Sequence, residues 1–85
     1  MQYNNNNLYV FSFYRFVKIN NKLNIKNSLD TFLKKKLMRG TILLADEGIN
    51  ASISGNYKDL LEAIKLIKKV LNIKKLNIKI NDINF

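Results

Sequence analysis

TILLADEGINASIS, residues 41–54, is the stretch that decides the fold of this chain. Its first five residues are mostly apolar and predict a short β-strand. From Ile49 onward apolar and polar residues alternate, which is typical of a strand with one buried face. Asp46-Glu47-Gly48 lies between the two strands and predicts a three-residue loop, with Gly48 at the position that tolerates left-handed geometry. The middle of the chain is therefore predicted to be a β-hairpin.

A helix is predicted on each side of this hairpin. Before it, apolar residues recur at helical spacing over residues 29–37, with Asn27 or Ser28 as the predicted N-cap and Gly40 as the predicted stop. After it, an apolar stripe over residues 57–71 predicts a second helix.

Strands are predicted near both ends of the chain. Residues 8–17, LYVFSFYRFV, are dense in aromatic and β-branched residues, and both alternation phases are apolar. This pattern favours a central strand that is covered on both faces. Residues 76–81 alternate between apolar and polar side chains and predict an amphipathic last strand.

The predicted order of elements is β-α-β-β-α-β. Two right-handed crossovers around the hairpin give an α+β, ferredoxin-like sandwich, in which a four-stranded antiparallel sheet carries both helices on one face. The other face of the sheet stays open. We expect residues 1–7 to be a flexible N-terminal lead and residues 8–85 to form a single domain, a fragment of a longer protein.

The composition limits the chemistry that this chain can perform. The 85 residues include 15 Lys plus Arg against 6 Asp plus Glu, a net charge of +9, and 47% are hydrophobic, which predicts a soluble globular domain. Cys and His are both absent, so thiolate chemistry and the commonest general base are excluded. We therefore predict no catalytic residue, no metal site and no cofactor in this chain. No apolar run is long enough to span a bilayer and the N-terminus is unlike a signal peptide, so we expect a cytoplasmic protein without membrane contact.

The positive charge favours RNA as a partner. Basic residues crowd the second predicted helix and its exit, and each basic group near a phosphate favours binding through counterion release. Two origins of this charge that involve no RNA stay open. Lysines near helix C-termini complement the helix dipole, and a composition rich in Asn, Lys and Ile is typical of an AT-rich genome. The candidate RNA-binding residues are Arg15, Arg39, Lys65, Lys68, Lys69, Lys74 and Lys75.

The aromatic side chains of the first strand are candidates for an interface between domains. The helices cover only one face of the sheet, so one phase of this strand faces the open side. A large exposed apolar patch on a soluble protein usually marks an interface. The two phases cannot be told apart from the sequence, and the candidates are Tyr9, Phe11 and Phe13 on one phase or Tyr14 and Phe16 on the other.

Part of the chain resembles a known family. The family pattern is a Gly, an apolar strand, the motif Ala-x-Glu-Gly-Ile-Asn-Gly and one more Gly. The positions that match it are Gly40, Ala45, Glu47, Gly48, Ile49, Asn50 and Gly55. Ala51 departs from the usual Gly of the motif, whereas residues 13–17 are similar to the family's first strand. On these residues the chain resembles the N-terminal domain of the bacterial rhodanese-like tRNA uridine hydroxylases.

The resemblance implies an acylphosphatase-like fold, followed in the same polypeptide by a rhodanese domain with a catalytic Cys. It also implies that the whole protein hydroxylates the wobble uridine of tRNA at carbon 5 with molecular oxygen. The function expected for this chain is that of an accessory domain, which helps to dock tRNA and packs on the rhodanese domain. The alternative is a free-standing ferredoxin-like module that binds RNA or protein without catalysis. Glu47 and Asn50 either contact the RNA or only shape the hairpin.

Overall fold

Six elements follow one another in the order β-α-β-β-α-β, as predicted. The computed structural model describes residues 7–83, so nearly all of the predicted N-terminal lead lies outside the described residues. The elements are β1 (Leu8–Phe16), α1 (Lys22–Lys35), β2 (Arg39–Ala45), β3 (Gly48–Asn56), α2 (Tyr57–Leu71) and β4 (Ile78–Asp82).

The four strands form one antiparallel sheet in the order β2-β3-β1-β4. β1 is central: Phe11 pairs with Ile53 of β3 on one side and with Ile80 of β4 on the other. Both helices pack on the same face of this sheet, around one apolar core. The α+β ferredoxin-like fold is confirmed.

The core is built from one phase of each central strand and from the apolar stripe of α2. Tyr9, Phe11 and Phe13 of β1 point toward the helices and are 3%, 1% and 5% exposed. Burying a side chain of this size stabilises a fold by about 1.5–3 kcal/mol. The ring of Tyr57, at the start of α2, meets the rings of Tyr9 and Phe11 edge to face, at centroid distances of 5.8 and 5.7 Å. These contacts hold α2 against β1.

The first helix begins earlier than the sequence predicted. α1 starts at Lys22, so Asn27 and Ser28 lie inside the helix and neither is its N-cap. Asn21 is the N-cap residue, and its side-chain oxygen accepts a hydrogen bond from the side-chain amide of Asn24 (3.2 Å) instead of from a backbone N–H. The partly buried Ile25 extends the apolar stripe by a turn, and this packing outweighs the capping signal.

The end of α1 also differs from the prediction, because Gly40 is not the helix stop. Leu37 takes the left-handed conformation (φ 57°), and its N–H donates to the carbonyl of Lys34 (3.1 Å) while the Met38 N–H donates to that of Leu33 (2.8 Å). This pair of bonds is a Schellman motif, which satisfies the last carbonyls of a helix. Gly40 lies instead within β2, at φ 142°.

The hairpin turn is shorter than predicted. Ala45 pairs with Gly48, so the turn has two residues, Asp46 and Glu47, and Gly48 is the first residue of β3. Gly48 does not have a positive φ. A Cβ on Gly48 would collide with the backbone carbonyl of Arg15, so close strand approach explains this glycine. The outer strands are also slightly shorter than predicted: β1 ends at Phe16 and β4 begins at Ile78.

Candidate functional site

The open face of the sheet is polar over most of its surface. Strand register places small hydroxyl side chains side by side across its centre, and the Ser12 and Ser52 hydroxyl oxygens lie 3.4 Å apart. Arg39 on β2 and Lys79 on β4 lie at opposite edges of this face. The side chains around them that share the face are Val10, Thr41, Ser54 and Asn81.

One end of the open face is apolar. Leu43, Tyr14 and Phe16 are 60%, 58% and 69% exposed there. The rings of Tyr14 and Phe16 pack edge to face with their centroids 4.8 Å apart. Asn50 lies between Leu43 and Tyr14 in the register, and these residues border a depression of about 130 Å³ next to the hairpin turn. We call Tyr14, Phe16 and Leu43 the apolar edge.

Exposure along the first strand alternates as predicted, and the structure decides between its two phases. Tyr9, Phe11 and Phe13 lie in the core of the domain, so the expectation that they face another domain is wrong. Tyr14 and Phe16 are the aromatic side chains that reach solvent. A contact between this pair and a partner remains a prediction.

The seven candidate RNA-binding residues do not form one patch. Lys65 and Lys69 are exposed on the outer side of α2, whereas Arg39 is exposed on the open face of the sheet. Arg15 belongs to the inward phase of β1, and its Nε atom is buried without a hydrogen-bond partner among the described residues. Lys68 is half-buried on α2, and the exposed Lys74 and Lys75 lie between α2 and β4.

The ion pairs of the described residues use other lysines. Lys22 pairs with Asp46, Lys26 with Asp30, and Lys36 with both Asp59 and Glu62. The hydrogen bond and charge of Glu62, whose Oε2 lies 3.0 Å from Lys36 Nζ, raise the pKa of Lys36. The same contact lowers the pKa of Glu62. Most carboxylates are thus neutralised locally by lysines that are not RNA candidates.

A groove between the two helices was not anticipated from the sequence. It has a volume of about 490 Å³ and lies on the outer side of the helical layer. Periodicity gives no sign of it, because its polar wall comes from positions that were predicted to cap α1 or to lie in solvent. The lining residues are Asn27, Ser28, Thr31, Phe32, Lys35 and Leu66.

Most positions of the family motif serve the backbone of the hairpin. Ile49 is 1% exposed and belongs to the core, and Gly40, Ala45, Gly48 and Gly55 line the paired strands. Gly40 and Gly48 both lie where a Cβ would meet the backbone of a neighbouring strand. The motif is therefore explained mainly by close strand packing.

Glu47 and Asn50 are the two motif residues with exposed polar side chains. The backbone carbonyl of Glu47 accepts a hydrogen bond from the Val17 N–H (3.0 Å), which ties the turn to the end of β1. Neither side chain hydrogen-bonds to another described residue. Both side chains are thus accessible to a partner at the apolar edge.

Between residues 7 and 83 no group of three or more carboxylates is placed to hold a metal ion. Neither described helix is long and apolar enough to cross a membrane.

Comparison with known proteins gives one family match and several relatives. The family model described as the UPF0176 acylphosphatase-like domain matches residues 8–84. The tRNA uridine(34) hydroxylase of Pelagibacter ubique (strain HTCC1062) is 50% identical over 66 residues, which are 78% of this chain and 22% of that protein. The tRNA uridine(34) hydroxylase of Rickettsia massiliae (strain Mtu5) is 39% identical over 77 residues, 91% of this chain and 31% of that protein. The chain thus spans about a fifth to a third of the length of these relatives.

Among solved structures, the de novo designed protein Ferredog-Diesel has a TM-score of 0.51 and 11% identity to this chain. The match covers 95% of this chain and 89% of the designed protein. At this identity the likeness concerns the fold alone, and it agrees with the ferredoxin-like order of the strands.

Proposed function

This chain belongs to the UPF0176 acylphosphatase-like domain family, and we propose that it is the accessory N-terminal domain of a tRNA uridine hydroxylase. One observation carries the proposal: the chain matches only 22–31% of the length of relatives that are named tRNA uridine(34) hydroxylase. The chain has neither Cys nor His. A thiolate nucleophile, and the oxygen-dependent hydroxylation at carbon 5 of the wobble uridine, are therefore assigned to the rest of the polypeptide.

The first role that we propose is packing against a rhodanese-like catalytic domain of the same polypeptide. The apolar edge supports this role, because it combines three large, exposed apolar side chains with the polar residues around them. An apolar centre with a polar rim is the usual composition of a contact between domains. The relatives are three to five times longer than the matched segment, so they contain the chain length that such a partner needs.

The second role is to help dock tRNA. The net charge of +9 supports it, as does the local pairing of most described carboxylates with Lys22, Lys26 and Lys36. The other basic side chains remain able to neutralise phosphates, and this contribution depends on charge and not on sequence.

A chimeric enzyme tests both the membership of this domain in the hydroxylase and the role of the apolar edge. In the Pelagibacter ubique relative the matching N-terminal segment is replaced by this chain, and 5-hydroxyuridine at position 34 is measured in tRNA from cells without their own enzyme. We expect the chimera to modify tRNA. The change of Tyr14, Phe16 and Leu43 to Ser should reduce modification by about tenfold, equivalent to ~1.4 kcal/mol of lost contact energy.

The matched control changes three exposed leucines away from the open face, Leu23, Leu37 and Leu61, to Ser. The control removes a comparable number of exposed apolar side chains, and we expect it to keep most of the activity. A folded chimera that modifies no tRNA, while the parent relative does, contradicts the proposed function. If the isolated chain binds RNA but the chimera is inactive, the chain is a free-standing RNA-binding module instead.

A further inference from the structure

We infer that the groove between α1 and α2 binds the phosphate backbone of an RNA, while the open face of the sheet does not. This inference rests on the proposed function, since it names the surface that meets the nucleic acid. It concerns residues that no motif singled out, above all Lys35 and the polar wall of α1.

The shape of the groove suits a backbone ligand. The two helices run antiparallel, because Lys36 at the end of α1 contacts Asp59 and Glu62 near the start of α2. Between them the groove has a volume of about 490 Å³, with Phe32 and Leu66 among its apolar lining. Such a shallow open channel fits an extended, solvated chain better than an enclosed small molecule.

The polar wall of the groove supplies neutral hydrogen-bonding groups. Asn27, Ser28 and Thr31 are exposed on α1 and line the groove, and none of their side chains hydrogen-bonds within the described residues. Hydroxyl and amide groups are common ligands of phosphate and sugar oxygens in nucleic-acid complexes. They fix the register of a backbone without reading its sequence.

The charge around the groove is positive and uncompensated. The acidic groups of the helical layer, Asp30, Asp59 and Glu62, are all paired with Lys26 or Lys36. The remaining exposed lysines of the layer have no carboxylate within 4.0 Å among residues 7–83. They are Lys34 and Lys35 on α1 and Lys58, Lys65 and Lys69 on α2.

These lysines of α2 share one side of the helix. Lys58, Lys65 and Lys69 are separated by seven and four residues, which brings them back to the same side at 3.6 residues per turn. Lys65 and Lys69 are about 6 Å apart along the axis at 1.5 Å per residue. The row gives a line of positive charge parallel to the groove, to which a polyanion is the complementary partner.

The open face of the sheet lacks the features of a nucleic-acid surface. Its exposed basic side chains within the described strands are Arg39 and Lys79, which lie on opposite outer strands. β3 carries no aromatic residue on which a base could stack, and the rings of Tyr14 and Phe16 pack against each other. The sheet face is therefore left for protein, and RNA is assigned to the helical layer.

The experiment measures binding of this chain to an unmodified anticodon stem–loop RNA between about 50 and 200 mM salt. The groove variant combines Lys35→Gln, Lys65→Gln and Lys69→Gln. The control variant combines Lys18→Gln, Arg39→Gln and Lys79→Gln, three exposed basic residues outside the helices, and so removes the same charge. Each phosphate contact contributes about 0.9 to the slope of log K against log salt in duplex regions. We expect the groove variant to lower that slope by about 2–3 and the control variant by less than about 1.

A third variant, Thr31→Leu, places a larger side chain in the groove without changing any charge. We expect weaker binding at every salt concentration and an unchanged slope, with the helix content intact by circular dichroism. An equal loss in the groove and control variants overturns the inference in favour of diffuse charge, and a larger loss in the control variant assigns RNA to the sheet face. Either result leaves tRNA docking by this domain standing. A wild-type chain that binds no stem–loop overturns both the groove and the docking role.

Discussion

We predict that replacing Leu37 by glycine stabilises this domain, although the change removes a large apolar side chain. Leu37 ends α1 in the left-handed conformation, with φ at 57°. Its side chain is 89% exposed, so almost none of its apolar surface is buried in the fold. Glycine is the residue that most often occupies this position of a Schellman motif, because it has no Cβ to crowd the backbone.

The expected gain is the difference between two backbone terms. A residue with a Cβ loses about 1–2 kcal/mol in the left-handed region. Glycine returns about 0.5–1 kcal/mol of that gain, because its unfolded chain has more conformational freedom. The net stabilisation of Leu37→Gly is therefore about 0.5–1 kcal/mol, which raises the Tm of a domain of this size by roughly 2–8 °C.

Thermal and urea unfolding of the purified chain, followed by circular dichroism, measure this change. The matched control is Leu61→Gly, the same replacement at a helical position inside α2. It should destabilise the domain by about 1 kcal/mol, because glycine has a poor helix propensity. A lower Tm for Leu37→Gly, or equal changes in both variants, would refute the assignment of backbone strain to Leu37.

Two further predictions concern the hairpin and the helical layer. Gly48→Ala should destabilise the domain by about 1–3 kcal/mol, since its Cβ meets the Arg15 carbonyl, whereas Gly55→Ala meets only the Met38 side chain and should cost less in the same unfolding assay. Glu62→Gln should lower the Tm between pH 4.5 and 10.5, the ordinary pKa values of the two partners in the ion pair with Lys36. The difference from wild type should disappear as the pH falls through the lowered pKa of Glu62 or rises through the raised pKa of Lys36; a difference that is constant over this titration would contradict the ion-pair explanation.

The fold was largely predictable because the strongest signals of the sequence are also the ones that the core uses. Alternation in β3 and the apolar stripe of α2 correspond to buried side chains, and the order of elements leaves few topologies. The errors occurred where weak capping signals compete with packing. Asn27 and Ser28 are good caps, but the helix gains more by starting at Lys22 and packing Ile25. Gly40 is a natural helix stop in sequence, yet Leu37 performs that role under strain.

The candidate sites were less predictable, because they depend on which face each side chain occupies. Both phases of β1 are apolar, so only the packing of α1 and α2 shows that Phe13 is buried and Tyr14 exposed. Leu43 and Leu44 are adjacent and chemically identical in sequence, yet Leu43 alone contributes to the apolar edge on the open face. The basic residues carry no periodic signal for their surroundings. Ion pairing selects among them, and it depends on contacts between α1 and α2.

The separation of the two candidate surfaces follows from how little of this chain forms the core. One phase of the central strands and one stripe of α2 supply most of the buried side chains, which leaves the second phase and the opposite stripe free of packing constraints. The free phase of the sheet carries the apolar edge, and the free stripe of α2 carries Lys65 and Lys69. Because a sheet and a packed helix layer lie about 10 Å apart, a protein partner and an RNA can occupy the two sides together. A small domain of this design gains its specificity for protein from shape and apolar contact and its affinity for RNA from charge, and neither requirement disturbs the other.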